Sequence, residues 1–179
     1  KFIFSQPIAG IPSQNPTTVF PVLKYTILGN DPDGLEDIFI GGSRGQAGQL
    51  LLQQANGDFV PSIQKAFEQD LASEDVDALF FDADNDGLSD LYVCNGIYHD
   101  VTDQDFIDFF ADEIIQRMVM TGEKKEVSEV INKMPSTPIP NKFYYNRGDL
   151  KFTDAGETNG FTQKSFSNGA AYGDIGTRL

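Results

Sequence analysis

The chain has 179 residues, with 27 acidic side chains against 13 basic ones, a net charge of −14 and an isoelectric point near 4.2. That length suits one domain, and that charge argues against binding to nucleic acid or to an anionic membrane, both of which need basic surface. A lone cysteine, Cys94, excludes an internal disulfide, and no apolar run approaches the roughly 18 residues of a membrane-spanning helix.

Acids first cluster at 29–37, Gly-Asn-Asp-Pro-Asp-Gly-Leu-Glu-Asp, directly before the strand-like Ile38-Phe39-Ile40. Gly41 to Gly48 follows that strand like a phosphate-binding loop. It lacks the Lys-Ser/Thr of a P-loop and leads to another strand rather than a helix, so it reads as a turn, with Arg44 its one candidate ligand contact. Leu50 to Phe59 reads as two strands joined at Asn56-Gly57, a hairpin signal. Ala78-Leu79-Phe80-Phe81 and Leu91-Tyr92-Val93-Cys94 are short apolar runs rich in aromatics, the pattern of buried strands, with Cys94 a core thiol.

Between those two runs, residues 82–90 read Asp-Ala-Asp-Asn-Asp-Gly-Leu-Ser-Asp. Carboxylates at positions 1, 3, 5 and 9 with glycine at 6 suit a loop that wraps a hard cation in oxygen. Ca²⁺ takes about 6–8 oxygens from carboxylates, carbonyls and water. Asp82, Asp84, Asp86 and Asp90 are the candidate side-chain ligands, the Leu88 carbonyl a further one, and Gly87 supplies the turn. An EF-hand would have flanking helices and Glu at position 12, where this chain has Val93. Ordinary turns also favour Asp, Asn and Gly, but four spaced aspartates exceed what a turn requires. Aligned on its glycine, the upstream stretch repeats the plan with Asp31, Asp33, Leu35 and Asp37. Gly29 stands at position 1, so that copy has one carboxylate fewer and is the weaker site. A third copy begins at Gly169 to Asp174, after which no further acid follows.

Beyond the second loop the pattern changes. Thr102 with Asp105 resembles a capping box, and Phe106, Phe109, Phe110, Ile114 and Met118 recur at helical spacing. Gly122 ends that helix; Val127, Val130, Ile131 and Met134 mark a shorter one, stopped by Pro135. Residues 100–135 are therefore expected to be a helical hairpin inserted within a single domain spanning 1–179. Lys142 to Phe152 then repeats the hairpin plan, its turn containing Arg147-Gly148-Asp149, a tripeptide that many integrins recognise but that is too short to outweigh a turn. Gly29 and Asp82 lie 53 positions apart; Asp82 and Asp174 lie 92 apart, or 56 without the 36-residue insertion. A period near 50 with several short strands per unit is the mark of a β-propeller blade.

These stretches resemble the FG-GAP or VCBS repeat proteins, whose blades are similar to those of the integrin α-subunit propeller, and more narrowly the bacterial exported proteins that combine such repeats with an ASPIC/UnbV module. The likeness rests on 31–42, on 80–93, on Phe166 to Asp174 and on the two hairpins. It implies a mainly β, incomplete propeller-like array, Ca²⁺ held in the inter-strand loops, and an extracellular, cell-surface or periplasmic setting. No signal peptide is visible, and the abrupt ends suggest a fragment of a larger propeller, completed in part by self-association.

Two functional classes compete. One is a non-catalytic binding or adhesion module for a glycan or protein. The other is part of a polysaccharide-active lyase or hydrolase, which would need convergent carboxylates or a Tyr/His pair in a cleft. A purely structural fragment is the bland alternative. His99, the only histidine, is ordinary at a helix entry, and neither a Gly-x-Ser-x-Gly nor a His-Glu-x-x-His motif occurs. The expectation is that the chain is not an enzyme.

Overall fold

Short β-branched and aromatic runs punctuated by Gly, Asn and Asp favour strands joined by tight turns. A computed structural model describes residues 25–28, 33–97, 119–120 and 136–173 of the chain. Among these residues the fold is mainly β, with antiparallel sheets and little helix. Contacts divide the chain into two units, residues 97–138 and the remainder, and the sheets belong to the latter.

The first sheet is a meander of β1 (Tyr25–Leu28), β2 (Asp37–Ile40), β3 (Gln49–Gln53) and β4 (Phe59–Ser62), in that order and antiparallel throughout. After one helical turn, α1 (Lys65–Glu68), come β5 (Asp75–Phe81), β6 (Asp90–Asn95), β7 (Ile139–Pro140), β8 (Lys142–Asn146), β9 (Phe152–Asp154) and β10 (Lys164–Ser165). The second sheet runs β5-β6-β8-β9, again antiparallel, while β7 pairs with β10. Both four-stranded sheets follow one plan. An acidic loop joins the first two strands, and a tight hairpin joins the last two. The registers also correspond, with Asp37 opposite Leu28 and Asp90 opposite Phe81.

The expected turns are in place. In β3–β4 the chain reverses through Gly57, at φ +86°, with Gln54 N donating to Asp58 O at 2.7 Å. In β8–β9, Gly148, Asp149 and Leu150 all take positive φ, and Arg147 N donates to Lys151 O at 2.8 Å. Arg147-Gly148-Asp149 is thus a hairpin turn. Gly41 to Gly48 links β2 to β3, a turn between strands as its sequence implies, and Arg44 faces Glu74 at 3.9 Å.

The core joins Phe39 and Leu50 of the first sheet to Leu91, Val93, Tyr144 and Phe152 of the second, with Phe67 of α1 among them. Phe67 is the hub: its ring meets Phe39 at 5.4 Å, Tyr144 at 4.9 Å and Phe152 at 5.7 Å between centroids. Gln64, buried just before α1, fixes that approach by donating to Leu150 O at 2.7 Å and accepting from Phe152 N at 3.2 Å. A second aromatic layer, Phe81, Tyr92, Phe143 and Tyr145, is met by Phe161 and Tyr172 from the C-terminal segment. Cys94 is buried, as its strand position implies.

The helical hairpin expected at 100–135 lies outside the described residues except for Val119 and Met120, which are helical. His99, Asp31 and Asp174 also lie outside them. Among the described residues no helix is long and apolar enough to cross a membrane.

Candidate metal centre

The loop between β5 and β6 is shaped by its own carboxylates. Asp82 accepts from Asp86 N at 3.2 Å and from Gly87 N at 3.0 Å, and Asp86 accepts from Leu88 N at 2.8 Å. Asn85 and Gly87 sit at φ +61° and +86°, the left-handed region that asparagine and glycine enter most readily. Folding the chain back this way brings carboxylate oxygens of Asp82, Asp84 and Asp86 within 4.8 Å of one another. Asp82 is half-buried; Asp84 and Asp86 are exposed. Three negative groups at that spacing repel one another, an effect that solvent and salt screen at the exposed Asp84 and Asp86. A hard divalent cation matches such an all-oxygen donor set.

Asp90, the fourth expected ligand, sits differently. It is fully buried, and its oxygens accept from Ala83 N at 3.0 Å and from Asn146 N at 2.9 Å. Asn146 in turn donates through its side chain to Ser89 O at 3.3 Å. Burial raises the Asp90 carboxyl above the usual carboxylate range; the two backbone N–H groups oppose this, and Asp84 and Asp86 add to it. Asp90 therefore straps the loop to the end of β8. Leu88, whose carbonyl was the remaining expected ligand, is half-buried beside the acid cluster.

The upstream loop shares this scaffold. Asp33 accepts from Leu35 N at 2.8 Å, matching Asp86 and Leu88, and Gly34 sits at φ +73° where Gly87 sits at +86°. Asp37 is buried and accepts from Gln53 N at 2.8 Å, matching Asp90 and Asn146. Gln53 and Asn146 each end the third strand of their sheet, and neither stands out in the sequence. Their one signal is position, immediately before the two hairpin turns. With Asp31 outside the described residues, Asp33, Leu35 and Asp37 are the expected residues of this loop that can be placed.

Residues 31–93 match the family model of the FG-GAP-like repeat. The chain carries an FG-GAP-like repeat. The match begins within the first acidic loop and ends in β6, so it contains β2 to β5 and the whole of the second acidic loop, while β1 lies before it. The β8–β9 hairpin lies beyond it yet pairs onto β6 just as β3–β4 pairs onto β2. No curated protein and no solved structure matches the chain significantly.

Proposed function

We propose that this chain is a calcium-clamped, non-catalytic binding module of β-propeller type, belonging to an exported or cell-surface protein and presenting its surface to a glycan or protein ligand. The observation that carries this reading is the meeting of Asp82, Asp84 and Asp86 within 4.8 Å inside an FG-GAP-like repeat. Ca²⁺ bound there would supply electrostatic cross-linking rather than reaction chemistry. Asp82, Asp84 and Asp86 would hold it by their carboxylates, and the Asp90 strap would fix the register of β5, β6 and β8. The upstream loop, with Asp33 and Asp37, is the weaker second site. The acidic surface agrees with a partner other than nucleic acid.

A cation that binds only the folded state adds stability as RT ln(1 + [L]/Kd), about 2.7 kcal/mol at a hundredfold excess over Kd. Calcium titration is therefore expected to raise Tm by several degrees, and EDTA to reverse the rise. The Asp84→Asn variant, which removes one exposed carboxylate, is expected to weaken calcium binding at least tenfold by calorimetry while leaving the calcium-free Tm within about 1 °C. An identical Tm in calcium and in EDTA would defeat the clamp. Turnover of a bound polysaccharide would defeat the non-catalytic assignment.

A further inference from the structure

The sequence contains four Asn-Gly pairs, at 56–57, 95–96, 159–160 and 168–169. A glycine has no side chain to shield its nitrogen or restrict its backbone, so that nitrogen can reach the side-chain carbonyl carbon of a preceding asparagine. What decides the matter in a folded chain is how firmly the two groups are held.

Three of the pairs are held on both sides. The Asn56 side chain donates to Asp58 Oδ2 at 2.8 Å and accepts from Asp58 N at 3.0 Å, while Gly57 N donates to Gln54 O at 2.7 Å. Asn95 is fully buried and donates to Pro140 O at 3.3 Å, and Gly96 N donates to Glu74 O at 3.0 Å. Asn159 accepts from the Tyr145 hydroxyl at 3.0 Å and donates to Ala155 O at 2.8 Å, and Gly160 N donates to Glu157 O at 3.2 Å. The fourth pair differs. Asn168 and Gly169 are both exposed, and among the described residues neither the Asn168 side chain nor Gly169 N has a hydrogen-bond partner. The chain is pinned on either side instead: Ser167 N donates to Asn95 O at 3.0 Å, and Ala170 N donates to Asp77 Oδ2 at 3.1 Å.

We propose that Asn168 is a site of self-modification, at which the Gly169 nitrogen attacks the Asn168 side-chain carbonyl carbon and turns the asparagine into aspartate and isoaspartate. Hydroxide takes the Gly169 amide proton, the nitrogen forms a bond to Cγ, and the Cγ–Nδ2 bond breaks, its nitrogen leaving as ammonia after taking a proton from water. The cyclic imide so formed is opened by water. Cleavage at the side-chain carbonyl gives aspartate, and cleavage at the main-chain carbonyl gives isoaspartate, with no net oxidation or reduction. The product carries a new carboxylate close to that of Asp77, whose Oδ2 lies 3.4 Å from where a Gly169 Cβ would stand. Isoaspartate also adds one carbon to the main chain between the two pins. It therefore works against the Ala170 bond and against the stacking of Tyr172 on Phe81, 4.9 Å between centroids.

The test incubates the full chain at mildly alkaline pH, with a parallel sample in urea, and follows each Asn-Gly pair by peptide mapping with mass spectrometry, using fragmentation to tell aspartate from isoaspartate. Attack at the other three pairs must first open hydrogen bonds on both sides, so in the folded chain Asn168 is expected to convert at least about tenfold faster than Asn56, Asn95 or Asn159. In urea the four pairs are expected to convert at comparable rates. Gly169→Ala, whose Cβ meets Asp77 Oδ2 at an ordinary contact distance, is expected to suppress conversion at 168 and leave the other pairs unchanged. Equal rates at all four pairs in the folded chain, or a ranking that persists in urea, overturns the assignment, and so does a Gly169→Ala chain that converts at 168 as fast as the natural one. The folded and urea readouts both come from the natural chain, so the outcome stands even if the variant fails to fold.

Discussion

Replacing Asp90 with alanine is expected to cost about 3–5 kcal/mol of folding stability, measured as a drop in urea midpoint at unchanged slope. The carboxylate is fully buried and serves two backbone donors, Ala83 N and Asn146 N. Each donor stranded without a partner costs about 1–3 kcal/mol. Against a total of about 5–15 kcal/mol for a domain, such a loss leaves a substantial unfolded population. Asp90→Asn keeps one acceptor oxygen but turns an amide N–H toward the other donor, so about half the loss is expected. The informative contrast is Asp84→Ala without calcium: its carboxylate is exposed, and a change within about 0.5 kcal/mol is expected. Equal costs for the two alanine variants in EDTA would show that Asp90 is not a strap.

Phe67→Ala is expected to be comparably damaging, at about 3–5 kcal/mol, because it empties the centre of the core. The ring touches Phe39 of one sheet and Tyr144 and Phe152 of the other, so its removal strips contacts from both sides at once. Phe67→Leu refills part of the volume and is expected to recover about half of the loss. The site lies well apart in sequence from both acidic loops, so calcium affinity of the folded fraction should stay within about twofold, and thermal melting with and without calcium reads both quantities. A Phe67→Ala protein that melts with the natural chain would place the core elsewhere.

The strands, the acidic loops and the hairpin turns were legible because their signals are local. Asn85, Gly87, Gly57 and Gly148 mark reversals by backbone preference, and the aromatic runs around 82–90 can only be strands of that length. Helix α1 was not legible: four residues show no 3.6-residue period, and what holds them is Gln64 reaching Leu150 and Phe152, 86 and 88 positions away. The role of Asp90 was hidden for a related reason. An acid at position 9 of such a loop reads as a ligand, and only pairing of β6 with β8 turns one of its oxygens toward Asn146, 56 positions on. Asp75 sits among Glu74 and Asp77 and reads as one of several solvated acids. It is half-buried, where the glycines of a turn 33 positions earlier let its carboxyl accept from Gly42 N.

The strap between Ala83, Asp90 and Asn146 also means that the acidic loop is not a self-contained cassette. A synthetic peptide spanning 82–90 would carry every carboxylate and the turn-forming glycine, yet it would lack the strand end that anchors the ninth residue. Its coordinating groups would have to be ordered afresh with each binding event, whereas the folded chain has already met that entropic cost. Transplanting the loop into another scaffold therefore calls for three pieces of backbone rather than one: the two flanking strands and the terminus of the third, with Asn or Gln in its last position.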